Sequence, residues 1–153
     1  MTAADHTSAL RAAGLRVTAP RLATLAAVEA HPHADAETIA HDVRERLGTV
    51  SRQAVYDVLN ALSDVELVRR VAVGGRSMQY EIHRHDNHHH LVCRECGRLE
   101  DVACAVGEAP CLIPHDALGF DVEVADVVYR GVCSDCRAST TVGPAGHTVP
   151  GTP

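Results

Sequence analysis

Apolar positions recur at helical spacing directly after Thr18. Leu22, Leu25 and Val28 are three residues apart, and Pro20 stands just inside the stretch. Threonine is a common N-cap residue, and proline is common in the first turn of a helix. The pattern therefore predicts a helix that begins after Thr18 and buries one face.

Two more helices are predicted by the same signals. Asp35 is the candidate N-cap of one, with Gly48 as its C-terminal stop, and Ser51 is the candidate N-cap of the other. The apolar stripes are Ile39, Val43 and Leu47 in the first of these helices and Val55, Val58, Leu59 and Leu62 in the second. Both stripes have the spacing of an amphipathic helix.

Strand-like runs replace the helical pattern after residue 66. The runs "LVRRVAV" and "SMQYEI" predict a hairpin that turns through Gly74 and Gly75. Three helices followed by a hairpin is the element order of a winged helix-turn-helix domain. The second half is β-rich around "HHHLVC", "GRLEDV" and "FDVEVADVVYRGVC", and a short helix is an option within residues 107–119.

These patterns predict an α+β chain with two domains. Residues 1–83 form the winged helix-turn-helix domain, residues 84–87 a polar hinge, and residues 88–137 a metal-binding second domain. Residues 138–153 are rich in glycine, proline and threonine, and we expect them to be disordered.

Composition narrows the class of protein. The chain has 153 residues and is 46% hydrophobic but only 3% aromatic, so its core must consist of Ala, Val, Leu and Ile. No apolar run reaches the roughly 18 residues of a membrane helix, and the N-terminus has no signal-peptide pattern, which favours a cytoplasmic protein without a membrane partner. The net charge of −6 comes mainly from residues 84–153, with five basic and ten acidic residues. The first half is nearly neutral, so DNA binding there is not excluded.

Two C-x-x-C pairs, Cys93/Cys96 and Cys133/Cys136, are separated by residues 97–132. Each pair can direct two thiolates at one ion, and two pairs complete a tetrahedral zinc site that leaves no open position for chemistry. A redox-active pair is the alternative, but the first pair lacks the βαβ surroundings of such a motif. We therefore predict a structural zinc site with four cysteine ligands.

Cys104 and Cys111 stand outside this spacing. Free cysteine is among the most buried residue types, so the simplest interpretation is a pair of small buried residues or tolerated surface thiols. A thiol-based oxidant sensor is the alternative.

His88, His89 and His90 are predicted to lie on a strand. Side chains alternate along a strand, so His88 and His90 share one face and His89 points to the other. Glu81 ends the predicted hairpin, and Asp101 lies on the strand that we expect to pair with the histidine strand. Imidazole and carboxylate ligands together suit Fe²⁺, Mn²⁺, Zn²⁺ or Co²⁺. A solvated polar strand edge is the alternative.

The stretches "QAVYDVLNAL", "DNHHHLVCRECG" and "YRGVCSDC", in this order after a winged-helix pattern, resemble the ferric uptake regulator family of metal-dependent bacterial repressors. The resemblance covers residues 8–137. "AHPHADAETI" and "CAVGEAPCL" are most similar to the actinobacterial, catalase-linked, peroxide-sensing branch. The resemblance implies a homodimer that binds double-stranded DNA through its first domain and dimerises through its second, an α/β domain.

The resemblance also implies two metal sites. The paired cysteines hold a structural Zn²⁺. A regulatory Fe²⁺ or Mn²⁺, with Zn²⁺ as an option, takes ligands from both domains, namely His33, Glu81, His88, His90 and Asp101. His31 is the alternative to His33, although counting back from "DAETI" favours His33. The aspartate at position 101 resembles the aspartate found at this place in peroxide-sensing members of the family. In those members, a ligand histidine is oxidised and the metal is released.

A further metal site of some family members is only partly matched. His89 and Glu108 are the candidate ligands here. Position 87 is Asn87, and the stretch "DVEVADVVYRG" contains no histidine, so the resemblance implies that this site is altered or absent.

The resemblance implies that the helix beginning near Ser51 enters the major groove and contacts the DNA bases. The candidate DNA contacts are Arg16, Ser51, Arg52, Gln53 and Tyr56. Arg52 suits guanine or phosphate, Gln53 suits adenine, and Tyr56 suits a thymine methyl or a phosphate. An ordinary solvated surface charge is the alternative for each arginine.

The predicted function is a metal-dependent transcriptional repressor that senses peroxide through bound Fe(II) and controls catalase and oxidative-stress genes. An iron- or zinc-responsive repressor of metal uptake, without peroxide chemistry, is the first alternative. A metal-dependent hydrolase is a distant alternative, since no H-E-x-x-H helix is present and a DNA-binding half would stay unexplained. The peroxide reaction is stoichiometric, so we predict that the chain is not an enzyme.

Overall fold

The computed structural model describes residues 2–73 and 77–141. The chain divides into two compact units, Met1–Asp86 and Asn87–Pro153. The predicted turn at Gly74–Gly75 and the end of the predicted tail, residues 142–153, lie outside the described residues. The functional roles assigned to the two halves stay predictions.

The first unit contains four helices, and the last three begin directly after the N-cap residues that the sequence predicted. The helices are α1 (Ala3–Ala12), α2 (Ala19–Ala30), α3 (Ala36–Leu47) and α4 (Arg52–Asp64). Asp35 caps α3 by accepting from the Thr38 N–H at 2.9 Å, and Ser51 caps α4 by accepting from the Ala54 N–H at 3.1 Å. Thr18 is the N-cap of α2 but makes no side-chain cap hydrogen bond. The three predicted helix starts are confirmed.

Helix α1 was not among the elements predicted from the apolar pattern, because its buried face consists of only His6 and Leu10. It has a different signal, a capping box. Thr2 accepts from the Asp5 N–H, and the Asp5 carboxylate accepts from the Thr2 N–H at 2.6 Å. The T-x-x-D spacing at the N-terminus would have located this helix.

The sheet of the first unit contains the predicted hairpin. Strands β1 (Ala34–Asp35), β2 (Val68–Val71) and β3 (Gln79–Ile82) form a sheet in the order β1-β3-β2, and both pairs are antiparallel. The β2–β3 pair places Arg69 opposite Glu81. The element order is therefore that of a winged helix.

The core of the first unit is aliphatic. Its largest fully buried side chains include Leu10, Ile39, Leu59 and Leu62, and Tyr80 is the aromatic residue in the described cluster. Burial of a leucine or isoleucine side chain contributes about 1.5–3 kcal/mol, so these residues hold α1, α3 and α4 together. The predicted core of Ala, Val, Leu and Ile is confirmed for most of these positions, and Tyr80 is an aromatic member that the composition did not predict.

The second unit contains a sheet and a short helix. Strands β4 (His88–Cys93), β5 (Leu99–Ala103) and β6 (Val128–Gly131) form a sheet in the order β5-β4-β6. Strand β4 is antiparallel to β5 and parallel to β6. Helix α5 (Ser134–Thr141) follows β6 directly.

Three details of the second half differ from the sequence-based expectations. The β-rich run before the second C-x-x-C pair is shorter than predicted, because only Val128–Gly131 pairs. Residues 104–127 contain bends and turns rather than the optional short helix. The prediction of disorder from residue 138 is wrong for residues 138–141, which lie in α5. The Cys133 carbonyl accepts from the Arg137 N–H at 3.0 Å, which starts the helix inside the second cysteine pair.

We predict that Asp35→Ala destabilises the first unit by about 1 kcal/mol, because α3 loses its N-cap. Asp35→Asn should cause little change, since asparagine accepts the same hydrogen bond. The Thr38 N–H holds the pKa of Asp35 below its ordinary value. The ionic part of the cap is therefore present at neutral pH and is lost as the pH falls from about 4 toward the lowered pKa. Urea unfolding followed by helical circular dichroism measures both variants.

Candidate functional sites

Four thiols converge at one end of the sheet in the second unit. The sulfur atoms of Cys93, Cys96, Cys133 and Cys136, which we call the four-cysteine cluster, lie within 4.8 Å of one another. Strands β4 and β6 run parallel with Cys93 opposite Gly131, which brings the second pair next to the first. The Cys96 and Cys133 sulfurs are 3.8 Å apart. The predicted convergence of the two pairs is confirmed.

Backbone N–H groups and neighbouring thiols shift the thiol pKa values within the four-cysteine cluster. The Cys133 N–H donates to the Cys93 sulfur at 3.3 Å. Together with the Cys96 N–H, it lowers the pKa of Cys93 to about 6. The neighbouring Cys133 and Cys96 thiols raise the pKa of Cys136 to about 12. Four thiolates this close repel one another unless a cation lies among them, so the donor set fits a tetrahedral Zn²⁺.

His33 and Glu81 form a ligand pair in the first unit. His33 lies between α2 and β1 with a positive φ of 62°, and its N–H donates to the Tyr80 carbonyl at 2.9 Å. Its Nε2 is 2.9 Å from Oε2 of Glu81, which is only 4% exposed. Arg69 Nη1 lies 3.7 Å from the other Glu81 oxygen. A buried carboxylate requires such partners, and this one presents a combined imidazole and carboxylate donor set.

His31 contacts a different acid. Its Nε2 is 3.3 Å from Oδ2 of Asp42, and its side chain is 49% exposed. The neighbouring position, His33, is the one beside Glu81. This geometry favours His33 as the ligand that works with Glu81.

A second ligand set lies on the sheet of the second unit. His88 Nε2 and His90 Nε2 are 3.9 Å and 3.6 Å from Oδ1 of Asp101. The two imidazole rings are 5.1 Å apart, and His90 lies directly opposite Asp101 in the β4–β5 pair. The predicted pairing of the histidine strand with the Asp101 strand is confirmed. The three side chains offer two nitrogens and one carboxylate to an ion.

His89 points to the other face of β4, where the structure adds two residues that the sequence did not assign. Its Nε2 lies 3.2 Å from the Cys111 sulfur, and the ligand atoms of His89, Cys104 and Cys111 are within 4.8 Å of one another. Glu108, the predicted partner of His89, is exposed, and its backbone carbonyl accepts from Asn87 Nδ2 at 3.0 Å. Among the described residues, the Glu108 side chain joins no group of three metal-type ligands.

Glu37 on α3 contacts two of the candidate DNA-binding residues on α4. Arg52 forms an ion pair with one Glu37 oxygen, and Tyr56 Oη donates to the other at 3.1 Å. The bond to Glu37 raises the pKa of Tyr56. Gln53 Nε2 donates to Asp57 Oδ1 at 2.8 Å. The Arg52 and Tyr56 side chains thus share one contact partner, an acid on the preceding helix.

The remaining candidate contacts have local structural roles as well. Ser51 is exposed and caps α4. Arg16 is exposed on the loop before α2, and its carbonyl accepts from Arg21 Nη1 at 2.8 Å. Glu37 itself was not singled out from the sequence, because an acid in a first helical turn has an ordinary electrostatic explanation.

The family model described as "Ferric uptake regulator family" matches residues 12–111. The chain belongs to this family. It is 56% identical over 137 residues to the transcriptional regulator FurA of Mycobacterium tuberculosis, covering 90% of this chain and 93% of that protein. It is 28% identical over 135 residues to the peroxide-responsive repressor PerR of Staphylococcus epidermidis, covering 87% and 89%.

A solved structure has the same fold. The ferric uptake regulator of Helicobacter pylori superposes with a TM-score of 0.68 at 18% identity, covering 90% of this chain and 95% of that one. The predicted α+β fold class is therefore confirmed. Members of the ferric uptake regulator family are transcriptional regulators, so the prediction that the chain is not an enzyme is confirmed and the hydrolase alternative is set aside. No described helix is long and apolar enough to cross a membrane.

We predict that Cys96→Ser removes a tightly held Zn²⁺ and unfolds the second unit, because a structural zinc contributes on the order of 10 kcal/mol. The measurement is zinc content after EDTA treatment, together with circular dichroism. Ser134→Ala is the matched control, since Ser134 lies between two of the cysteines without joining the four-cysteine cluster. A folded Cys96→Ser protein with unchanged zinc content would contradict the assignment.

Proposed function

We propose that the chain is a homodimeric, metal-dependent repressor that binds double-stranded DNA and responds to peroxide through a bound Fe²⁺. The main support is that each unit carries a set of imidazole and carboxylate ligands. The first unit has His33 2.9 Å from Glu81, and the second has His88 and His90 beside Asp101. We propose that one regulatory ion takes ligands from both sets.

Such an ion would couple metal binding to DNA binding. A cation that draws ligands from two units restricts their relative orientation, and in a dimer this orientation sets the spacing of the two DNA-reading helices. Metal then favours the DNA-binding conformation, and by linkage DNA favours metal binding. Protons compete with the metal for the histidine ligands, so the affinity for metal and the affinity for DNA should both fall on acidification.

The donor set supports Fe²⁺ or Mn²⁺ as the regulatory ion. Three imidazoles and two carboxylates are ligands that these ions accept, and Zn²⁺ remains an option because it shares them. The four-cysteine cluster has a separate donor set of thiolates only. We propose that it holds Zn²⁺ for structure, so the two sites select different metals through ligand softness.

Peroxide sensing is supported by the relative named as a peroxide-responsive repressor and by the aspartate at position 101. A bound Fe²⁺ would supply the electron that breaks the O–O bond of peroxide. In the net reaction, one peroxide oxygen would be added to a ligand imidazole of this chain, which loses two electrons, and the other oxygen would leave as water. The oxidised imidazole would bind metal more weakly, and the DNA would be released. An iron- or zinc-responsive repressor of metal uptake uses the same ligands without this reaction.

Helix α4 is the proposed DNA-reading element. Arg52, Gln53 and Tyr56 are on its first turns, with Arg52 and Gln53 exposed, and its opposite side is buried through Val55 and Leu59. Glu37 on the preceding helix contacts both Arg52 and Tyr56, so DNA binding would exchange these contacts for contacts to the operator.

The proposed homodimer is supported by the apolar surface of the second unit. Its exposed large apolar side chains are Leu91, Val106, Leu112, Ile113, Leu118, Phe120, Val124 and Tyr129. Exposed apolar side chains that form a contiguous patch mark protein–protein contact surfaces in soluble proteins. A second copy of the chain is the proposed occupant.

We predict that His90→Ala abolishes metal-dependent DNA binding but leaves a folded, zinc-containing dimer, because the regulatory ion loses a nearly buried ligand. Binding of a catalase-promoter fragment is measured by gel shift with and without Mn²⁺. His41→Ala is the matched control, since His41 is 71% exposed and forms a helical ion pair with Glu45. Loss of the fold or of the dimer in His90→Ala would place His90 in the structural framework instead.

Oxidation of a ligand histidine distinguishes the two proposed functions, a peroxide sensor and a repressor of metal uptake. We expect anaerobic Fe²⁺-loaded protein to gain one oxygen atom on a peptide that contains His33 or His88–His90 after a mild peroxide pulse, and to release the DNA. The Mn²⁺-loaded protein should show no change in peptide mass and should remain bound to the DNA. Unmodified peptides and retained DNA in the Fe²⁺ form would favour the metal-uptake alternative.

We predict that Arg52→Ala weakens operator binding by about 1–3 kcal/mol and relaxes specificity at one base pair, if Arg52 contacts a base. Fluorescence anisotropy with the promoter fragment and a scrambled fragment measures both effects. Arg44→Ala is the control, because Arg44 lies on α3 and its Nε donates to the Ala40 carbonyl. An equal loss on both fragments would instead identify Arg52 as a phosphate contact.

A further inference from the structure

His89, Cys104 and Cys111 form a second thiolate-containing cluster, separate from the four-cysteine cluster. Their ligand atoms lie within 4.8 Å of one another, and His89 Nε2 is 3.2 Å from the Cys111 sulfur. In a site with metal–sulfur bonds of about 2.3 Å and a metal–nitrogen bond of about 2.0 Å, the ligand atoms are separated by similar distances. The three side chains therefore need only small movements to share one ion.

The three ligands come from different parts of the second unit and are held by its backbone. His89 lies on β4 opposite Val102, and Cys104 directly follows β5. The Cys104 N–H donates to the Asn87 carbonyl at 3.3 Å, and its sulfur accepts from the Gly107 N–H at 3.4 Å. These bonds attach the start of the irregular segment to the beginning of β4, on the side to which His89 points.

His89 lacks the contacts of an ordinary buried histidine. It is 3% exposed, and its Nδ1 has no hydrogen-bond partner among the described residues. Its other nitrogen contacts a thiol, which is a weak hydrogen-bonding group. Burial of a polar group without good partners is unfavourable, so a purely structural role does not explain this imidazole.

We propose that His89, Cys104 and Cys111 form a third metal site, for a thiophilic closed-shell cation such as Zn²⁺ or Cu⁺. The site has two thiolates and one imidazole, and it leaves a coordination position open. Its soft ligands distinguish it from the imidazole and carboxylate sets, which contain no sulfur. Metal binding displaces the two thiol protons, so the two thiolates neutralise Zn²⁺ and leave a net charge of −1 with Cu⁺.

A disulfide between Cys104 and Cys111 is the main competing interpretation. Both thiols are free in the structure. A disulfide would satisfy the two sulfurs but would leave the buried His89 without a ligand role and without a hydrogen-bonding thiol. The metal site accounts for all three side chains, whereas the disulfide accounts for two.

Cobalt provides a test that does not depend on DNA binding or on the proposed regulatory ion. Protein that retains zinc in the four-cysteine cluster is titrated anaerobically with Co²⁺, and near-ultraviolet thiolate-to-cobalt absorption is recorded. The regulatory ligands contain no sulfur and give no such band. We expect the band in the wild-type protein and its loss in Cys104→Ser and Cys111→Ser, with affinity weakened at least about 100-fold, since loss of even an outer-shell partner costs about 10–100-fold.

Two control variants test whether the cobalt band depends on the proposed cluster rather than on Glu108 or on another histidine. Glu108→Gln should keep the cobalt band, because its side chain does not join the cluster. His115→Ala should also keep it, whereas His89→Ala should lose it; His115 is an exposed histidine of the same irregular segment. Parallel titrations with Zn²⁺ and Cu⁺ against chelators of known affinity then identify the preferred cation.

Alkylation of the wild-type protein covers the case in which a variant fails to fold. Peptide mass spectrometry should show that Zn²⁺ or Cu⁺ protects Cys104 and Cys111 from iodoacetamide. Absence of both the cobalt band and the protection in wild-type protein, or a Cys104–Cys111 disulfide in anaerobically purified protein, would overturn the proposal. The proposed regulatory function would be unaffected by that result.

Discussion

The two-residue repeat of strand β4 is the constraint on which the proposed metal sites of this chain depend. Successive side chains of a strand point to opposite faces, so His88 and His90 face Asp101 while His89 faces Cys104 and Cys111. The same strand ends at Cys93, a member of the four-cysteine cluster. A shift of one residue in the β4–β5 register would exchange the two faces and break both histidine groups. The pairing of β4 with its neighbours therefore positions residues of all three proposed ligand sets.

Strand β6 completes this arrangement from the other edge of β4. Its parallel pairing places Gly131 opposite Cys93, so the second C-x-x-C pair arrives beside the first after a long irregular connection. Parallel pairs have no tight turn to fix their register. A zinc ion in the four-cysteine cluster would fix it instead, because it would join the ends of β4 and β6. The described residues of the second unit bury few apolar side chains, and a structural metal ion is a typical means of stabilising so small a core.

The first unit is stabilised differently. Its aliphatic core joins four helices and the β1-β3-β2 sheet, and two of its acids each contact two polar side chains. Glu81 is buried between His33 and Arg69, and Glu37 holds Arg52 and Tyr56. Each acid thus positions the residues for one proposed task, metal binding in the first case and DNA contact in the second. Burial in the first unit fixes the Glu81 side chain, whereas the Glu37 side chain is partly exposed.

The sequence alone determined the local features. The helix starts after Thr18, Asp35 and Ser51, the paired C-x-x-C motifs and the alternation of the histidine run all depend on residues within a few positions of one another. Only the tertiary structure decided the contacts between distant segments. Cys111 reaches His89 from an irregular segment without periodicity, and His33 rather than His31 meets Glu81 across the sheet. Such pairs depend on how whole elements pack, and no local spacing in the chain encodes that packing.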